Sequence, residues 1–282
     1  MSRAPVDLIV VPWDVDRRDT AAARAPRKLM HSRFPHELGA NRNVREAGIG
    51  YLAIGPRTPL LSVSLIAGSI AHDVAASRSR RRFPLILSGG CLAAVGVVTG
   101  LQKAGGDPAV LWIDAHGDFN TPESSPSGYW DGMALAAVCG LGLNLRDLVE
   151  DFHPLAVDRV LHLGGRAFDP LESENVRRHG LALVPANGLA SEETRERLHR
   201  LTATGGYYLH VDLDGLDPQD APAVSFPVPD GVRLDGLLAV LGELPPPDAM
   251  TFSALSFDRA DAEATERTVA TCLRLADAFA LF

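Results

Sequence analysis

The sequence predicts an α/β fold in which a mostly parallel sheet is covered by helices on both faces. Short apolar runs alternate with longer segments of helical spacing along the 282-residue chain. Alternation of this kind is typical of parallel sheets, whose strands are joined by crossover helices. With 46% hydrophobic residues the chain is long enough for one large domain, which we expect to cover residues 1–282.

Seven apolar runs are predicted to be strands, and they cover residues 7–13, 84–88, 109–113, 159–163, 181–184, 207–212 and 249–256. Six amphipathic segments are predicted to be helices, and they cover residues 91–104, 132–142, 170–179, 191–203, 232–243 and 261–280. Residues 14–60, with scattered Arg, Pro and Gly, give no clear prediction. We find no internal repeat and no linker that would divide the chain.

Composition argues against several classes of protein. A net charge of −8 disfavours a nucleic-acid surface. No apolar stretch is expected to approach about 20 residues, so we predict no membrane span. The N-terminal sequence has no basic and apolar signal region. Three cysteines give no disulfide framework, which favours a reducing, cytoplasmic location.

Two segments place metal-ligand side chains at the ends of predicted strands. DAHGD (114–118) follows the apolar run VLWI, and HVDLDGLDP (210–218) follows YYL. The candidate ligands are Asp114, His116, Asp118, Asp212 and Asp214. Because strand side chains alternate between faces, we expect the ligands of each segment to point the same way. Carboxylates with one imidazole suit Mn²⁺ or a similar ion, so a two-metal site is favoured over a strand-end cap and a surface loop.

These segments also carry a family resemblance. DAHGDFNTPESSPSG (114–128) resembles the central motif of the arginases, and HVDLDGLDP resembles their second metal motif, in the family's order and spacing. The similarity extends from about Pro84 to the C-terminus, and the chain is identified as similar to the arginase/agmatinase (ureohydrolase) family. The resemblance implies a single catalytic domain with a three-layer α/β/α arginase-like fold and a mostly parallel sheet of about eight strands. It also implies a dimanganese centre that delivers hydroxide to a guanidinium carbon.

Cys91 departs from the family pattern. The segment SGGC, which ends at Cys91, aligns with a family segment that ends in a metal-binding histidine. A thiolate at a helix start beside a dication would be deprotonated, whereas the alternative is a small buried cysteine. The implied ligands of the first Mn²⁺ are Cys91, Asp114, Asp118 and Asp212. The implied ligands of the second Mn²⁺ are His116, Asp114, Asp212 and Asp214.

Two more positions differ from the arginases near the reacting end of the substrate. Asp131 stands where the family has a histidine that shuttles protons to the leaving amine. Three roles are open for Asp131, namely a substitute acid weaker than the histidine, a hydrogen-bond acceptor for an altered substrate, and a structural residue. Ser256 takes the position of a glutamate that pairs with the guanidinium. Loss of both groups weakens the case for a fully cationic guanidinium.

The positions that hold the amino-acid end are retained. Asn120, Ser125 and Ser127 match family residues that contact the α-carboxylate, and Asp169 matches one that faces the α-amino group. Ordinary loop capping is the alternative for each of them. Together they favour an arginine-like amino acid over agmatine.

The residues expected to contact the amino-acid end of the substrate are retained, whereas those expected near its guanidine end are changed. This combination predicts the substrate Nω-hydroxy-L-arginine. Its hydroxyl group lowers the basicity of the guanidine and makes the central carbon more electrophilic. The pattern is similar to family members of antibiotic (D-cycloserine) biosynthesis, which implies a metal-dependent amidinohydrolase that forms hydroxyurea and L-ornithine. In that mechanism Asp118 orients the attacking hydroxide or accepts its proton. The alternatives are an arginase or another guanidino-amino-acid hydrolase, and a non-catalytic binding protein of the same fold.

The resemblance also gives an expectation about assembly. Arginase trimers use a C-terminal tail that follows their final helix and wraps onto a neighbour. Here the final predicted helix, roughly residues 261–282, ends the chain. We therefore expect a monomer whose only partner is its small-molecule amino-acid substrate.

Overall fold

The computed structural model describes residues 5–39, 44–48, 58–203 and 205–279. Its strands are β1 (Val6–Val11), β2 (Val44–Gly48), β3 (Phe83–Ser88), β4 (Ala109–Ile113), β5 (Val160–Leu163), β6 (Ala182–Val184), β7 (Tyr207–Asp212) and β8 (Ala249–Ser253). They form one eight-stranded sheet in the order β2-β1-β3-β8-β7-β4-β5-β6. Each neighbouring pair is parallel. The carboxyl ends of all these strands therefore lie at one edge of the sheet.

The α-helices of the described residues are α1 (Ala21–Met30), α2 (Phe34–Gly39), α3 (Pro59–Ser79), α4 (Ala93–Lys103), α5 (Ala134–Val138), α6 (Pro170–His179), α7 (Glu192–Thr202), α8 (Leu234–Leu241) and α9 (Ala262–Phe279). Two separate cores cover the two faces of the sheet. Leu85 and Leu111 lie in the core that includes α1, α2, α7, α8 and α9. Their chain neighbours Ile86 and Val110 lie in the core that includes α3 to α6. The predicted three-layer α/β/α fold is confirmed.

The seven predicted strands correspond to β1 and β3 to β8. β2, α1 and α2 all lie within residues 14–60, where the sequence carries no clear prediction, and α3 is a further helix that it does not predict. Parts of two segments from the sequence analysis lie outside the described residues. They are positions 40–43 and 49–57 of the segment 14–60, for which there is no clear prediction, and positions 280–282 of the predicted final helix.

Helix α3 corrects the expectation that no apolar stretch approaches about 20 residues. It spans 21 residues, and an 18-residue window of it has a mean hydropathy of 1.4, so by length and composition alone it could cross a membrane. Half of that window is buried inside the protein. The apolar side chains serve the core, where Val63, Ile66, Ile70 and Val74 pack beside the sheet.

Two glycines of α4 let α3 approach closely. A Cβ at Gly96 would lie 2.6 Å from the Ala67 carbonyl oxygen, and a Cβ at Gly100 would lie 2.6 Å from Val74 Cβ. Any larger residue at these positions would push the helices apart. The close packing fixes α4 against the sheet, and with it the segment that leads from β3 into the helix.

Candidate metal centre and substrate cavity

Candidate ligands gather where four adjacent strands end. In the sheet these strands follow the order β3, β8, β7 and β4. Cys91 comes three residues after the end of β3, Ser253 is the last residue of β8, Asp212 is the last residue of β7, and Asp114 follows β4 directly. Parallel pairing thus brings together four positions that are far apart in the chain.

Matching turns shape the two metal motifs. Asp114 Oδ1 accepts a hydrogen bond from the backbone N–H of His116 at 2.7 Å, and Asp212 Oδ1 accepts one from the N–H of Asp214 at 2.9 Å. In each case an aspartate at a strand end bonds the backbone two residues ahead, as in an Asx turn. The expectation that strand alternation orients these side chains is wrong, because β4 and β7 end before the motifs do.

The candidate ligand atoms form two adjoining groups. Those of Cys91, Asp114 and Asp212 all lie within 4.8 Å of one another, and so do those of Asp114, His116 and Asp214. His116 Nδ1 lies 3.5 Å from Asp114 Oδ1 and 3.3 Å from Asp214 Oδ2. Asp114 belongs to both groups. Two neighbouring donor sets that share a carboxylate are the arrangement that a two-metal site requires.

Asp118 belongs to neither group, although it lines the same cavity. Its backbone has a left-handed φ of 49°, and its buried Oδ2 atom has no hydrogen-bond partner among the described residues. Burial, and then the charges of Asp114 and Asp131, raise the pKa of Asp118 well above its ordinary value. A buried carboxylate oxygen without a partner is costly unless a cation or ligand satisfies it.

The site carries a surplus of negative charge. Burial, and then Asp212, raise the pKa of the Cys91 thiol. Burial, followed by Asp214 and Asp114, likewise raises the pKa of Asp212. For His116 burial lowers the pKa, but hydrogen bonds and charge from the same two aspartates outweigh it and raise the pKa to about 12. No Lys or Arg is among the described residues that line the cavity, so a bound dication would supply the missing positive charge.

A cavity of about 370 Å³ opens onto these groups. The four residues expected to hold the amino-acid end all line it, together with Asp118 and Asp131, and they are Asn120, Ser125, Ser127 and Asp169. Asn120 Nδ2 donates to Asp169 Oδ2 at 2.9 Å, and the hydroxyl oxygens of Ser125 and Ser127 lie 3.4 Å apart. The structure therefore places the residues expected to bind the amino-acid end and the candidate metal ligands in one cavity.

A model of the arginase family matches residues 4–273. The chain belongs to the arginase family. The match includes residues 4–83, where the sequence alone had shown no similarity.

Individual relatives agree with this assignment. The arginase of Bacillus subtilis (strain 168) is 35% identical over 176 residues, which is 60% of this chain and 60% of that protein. The N(omega)-hydroxy-L-arginine amidinohydrolase of Streptomyces lavendulae is 29% identical over 195 residues, which is 67% of this chain and 66% of that protein. Both matches span less than two thirds of the relative's length. The crystal structure of arginase from Bacillus subtilis superimposes with a TM-score of 0.84, at 26% identity, over 99% of both chains.

Asp131, which is expected to stand at the position of the shuttle histidine, lies against the turn that follows β3. A Cβ at Gly90 would lie 2.7 Å from Asp131 Oδ2, so only glycine leaves room for the carboxylate. Burial raises the pKa of Asp131 to about 7, although hydrogen bonds from the backbone of Leu92 and Cys91 oppose the rise. The side chain thus faces both the cavity and the start of α4.

Ser256, expected to contact the guanidine end of the substrate, is not among the described residues that line the cavity. Its backbone N–H donates to the carbonyl of Ala223 at 2.9 Å. The chain leaves the sheet at Ala254, which has a left-handed φ of 55°. The residue beside the ligand groups is Ser253, which comes three positions before Ser256. Its hydroxyl oxygen lies 3.3 Å from Cys91 Sγ.

Sequence reasoning missed two further residues that line the cavity of this arginase-family protein. Glu172 accepts hydrogen bonds from the backbone N–H groups of Phe119, at 2.9 Å, and of Asp169, at 3.0 Å. The signal that could have found it is the capping box DPLE at the start of α6. Phe226 is 56% exposed, and its ring centroid lies 6.1 Å from that of His116. Nothing in the sequence alone links Phe226 to the site.

Proposed function

We propose that this protein is a metal-dependent amidinohydrolase that hydrolyses Nω-hydroxy-L-arginine to hydroxyurea and L-ornithine. The observation that carries the proposal is the position of Cys91 within a candidate ligand group, beside a cavity lined by the residues expected to bind the amino-acid end. The match to the amidinohydrolase of Streptomyces lavendulae supports the choice of substrate. A cytoplasmic location and a place in antibiotic biosynthesis belong to the same proposal.

The side chains fit a pair of divalent ions. Cys91, Asp114, Asp118 and Asp212 would hold the first ion, and His116, Asp114, Asp212 and Asp214 would hold the second. The unpartnered oxygen of Asp118 and the surplus of negative charge both support this assignment. Carboxylate oxygens with an imidazole suit Mn²⁺. When bound, the two ions supply Lewis acidity and lower the pKa of the water that attacks the guanidine carbon.

The residues of the cavity would orient the amino-acid end. The Asp169 carboxylate can accept a charge-assisted hydrogen bond from the substrate α-ammonium. The hydroxyls of Ser125 and Ser127 can donate to its α-carboxylate. An amide nitrogen carries two hydrogens, so Asn120 Nδ2 can bond Asp169 and still donate one hydrogen to the substrate. These contacts would fix the guanidine end next to the ligand groups.

We propose that Asp118 handles the proton of the attacking water. Asp118 lines the cavity, and its buried Oδ2 atom makes no hydrogen bond to the described residues. Asp118 can therefore hold the proton and pass it to the δ-nitrogen of ornithine when the C–N bond breaks. Asp131 stands at the position expected for the shuttle histidine, and its carboxylate accepts hydrogen bonds from the backbone of Leu92 and Cys91. We therefore propose that no histidine shuttle assists this step. A hydroxylated guanidine, which is less basic and has a more electrophilic carbon, depends less on such help.

A second candidate is hydrolysis of unmodified L-arginine. It is favoured by the 35% identity to the arginase of Bacillus subtilis. The acidic lining of the cavity would also accept a cationic guanidinium, since Asp118 and Asp131 both face it.

A direct comparison of substrates tests the proposal. Manganese-loaded protein is assayed with Nω-hydroxy-L-arginine, L-arginine and agmatine, and kcat/KM is measured from hydroxyurea or urea release. We expect the hydroxylated substrate to be preferred by a factor on the order of 10²–10⁴, the usual contribution of a general acid or base. Equal kcat/KM for the two amino acids would favour the arginase alternative, and turnover of neither would favour a binding protein.

The assembly of the protein is a separate proposal. We propose a monomer with its active site complete within one chain. Light scattering at micromolar concentration checks this, with an expected mass near 30.1 kDa. A mass near three times that value would contradict it.

A further inference from the structure

A continuous row of hydrogen-bonded side chains lies beneath the ligand groups and ends at Cys91. Thr251 Oγ1 lies 2.7 Å from the Tyr208 hydroxyl oxygen, which lies 2.8 Å from His210 Nδ1. His210 Nε2 lies 3.1 Å from Ser253 Oγ, which in turn lies 3.3 Å from Cys91 Sγ. All five residues are buried. We call these five residues the Cys91 relay.

Stacking fixes the histidine of the relay. His210 on β7 is paired in register with Trp112 on β4, and the two rings stack with centroids 3.7 Å apart and planes 12° apart. Trp112 Nε1 donates to Asp114 Oδ2 at 3.0 Å. The stacked pair therefore supports both ligand groups, because Trp112 holds Asp114 and His210 reaches Cys91 through Ser253.

Metal binding would give the relay one direction. A cysteine binds a metal as a thiolate, which can only accept hydrogen bonds. The Cys91 thiol donates to Ser253 Oγ, so on metal binding this bond must reverse and Ser253 must donate its single hydrogen to the sulfur. Two other acceptors are poorer, because Asp212 Oδ2 and the Val211 carbonyl both lie 3.5 Å away, beyond the usual range for O–H···O bonds. The competing acceptor is His210 Nε2, at 3.1 Å, and it competes only in the tautomer that leaves this nitrogen without a hydrogen.

The direction of that first bond determines the rest of the row. With its hydrogen committed to Cys91, Ser253 accepts a hydrogen bond from His210 Nε2–H. In neutral histidine the other ring nitrogen is then an acceptor, so it takes the hydrogen of Tyr208. The hydroxyl of Thr251 donates in turn to the Tyr208 oxygen. With a thiol at Cys91 the row runs the other way, from Cys91 to Ser253 and from Tyr208 to Thr251. With a thiolate, every member keeps a partner only when the whole row points towards the sulfur.

We infer that Ser253, His210 and Tyr208 are positioning residues that orient the Cys91 thiolate as a ligand of the first ion and moderate the charge it donates. The inference rests on the proposed role of Cys91 as a ligand. A thiolate gives a metal more negative charge than an imidazole does, and a hydrogen bond to the sulfur withdraws part of that charge. Residues behind a ligand commonly tune metal sites in this way. The relay would let a cysteine stand where the family uses histidine without a full loss of Lewis acidity.

Cobalt-loaded protein tests the inference without an activity assay. The charge-transfer absorption between thiolate and Co²⁺ reports the sulfur–metal bond, and competition with a chelator measures the affinity of each site. We expect Ser253→Ala to shift this band and to weaken the first site by about 10–100-fold, the usual effect of removing an outer hydrogen bond. The second site should keep its affinity. Ser253→Thr should restore the band, and Tyr208→Phe should shift it less than Ser253→Ala but in the same direction.

Ser64→Ala is the matched control. Ser64 is a buried serine of α3 whose hydroxyl donates to the Leu61 carbonyl, away from the metal centre, so its loss should leave the band unchanged. An unshifted band and unchanged affinity in Ser253→Ala would overturn the inference. If Ser253→Ala does not fold, an unshifted band in Tyr208→Phe would overturn it instead. A wild-type protein with no thiolate band would remove Cys91 as a ligand, which is a distinct failure of the proposed metal assignment.

Discussion

Asp131 accepts a hydrogen bond from the backbone N–H of Leu92 at 2.9 Å, and so joins the segment before α5 to the start of α4. Leu92 directly follows Cys91, so this bond also helps to set the position of the candidate thiolate ligand. The sequence left three roles open for Asp131, namely an acid, an acceptor for the substrate and a structural residue. The bond to the helix start supports the structural role.

Substitution of Asp131 separates these roles. Asp131→Ala removes the acceptor for Leu92 and should lower the free energy of unfolding by about 0.5–2 kcal/mol, as loss of a helix cap does. Asp131→Asn keeps a carbonyl oxygen in place, so we expect it to retain most of the stability and most of the kcat. Urea unfolding and steady-state kinetics measure the two quantities.

Asp261→Ala is the control for this experiment. Asp261 Oδ1 accepts from the backbone N–H of Ala264 at 2.8 Å at the exposed start of α9. Its loss should cost similar stability and leave kcat unchanged. A fall in kcat on the order of 10²–10⁴ in Asp131→Asn would instead assign Asp131 as a general acid.

Asp169→Ala should weaken substrate binding. If Asp169 accepts a hydrogen bond from the α-ammonium, its loss should cost about 1.5–3 kcal/mol, or roughly 10–150-fold in KM for Nω-hydroxy-L-arginine. Asp169 also caps α6, so stability must be measured in parallel. Ser191→Ala removes the cap that Ser191 gives to Thr194 of α7 and controls for that effect. An unchanged KM in Asp169→Ala would show that the amino group binds elsewhere.

Removal of metal should destabilise the protein. The apo-protein must bury several carboxyl groups and the Cys91 thiol close together, whereas two bound ions would neutralise them. Each ion present at 100 times its Kd should add about 2.7 kcal/mol to the free energy of unfolding. Thermal unfolding with manganese and with a chelator, together with metal analysis, measures this. We expect two ions per chain, about 3.5–4 Å apart in a crystal structure. An equal Tm in both conditions, or one ion per chain, would contradict the assignment.

Cys91→Ser should release the first ion more readily than the second, because a hydroxyl is a poor anionic ligand. Cys91→His should retain both ions, since it restores the histidine of the arginase family. Cys139→Ser is the control, as Cys139 is a free cysteine outside the cavity lining. Metal content after dialysis is the measurement. If Cys91→Ser keeps two ions and full activity, Cys91 serves only to fill the core.

The strands were predictable because each is a short apolar run that both helix layers bury. Residues 84–88 and 109–113, for example, match β3 and β4 closely. Helix α3 was missed because it is buried along much of its length, and a helix that is apolar on several sides loses the periodic pattern that a sequence reveals. The composition of residues 14–60 similarly concealed α1 and α2, whose buried residues Leu29 and Phe34 belong to a core shared with the sheet.

By itself the sequence determined the family, the positions along the chain of the strands that carry the site, and the residue types of the two metal motifs. Those features are local, since a motif and the apolar run before it are contiguous in the chain. Only the tertiary structure decided that Cys91 lies beside Asp212, that Ser253 and not Ser256 stands next to them, and that His210 stacks on Trp112. The reason is physical. Parallel pairing of β3, β8, β7 and β4 sets these distances, and turns at the strand ends aim the side chains, so neither can be read from spacing along the chain.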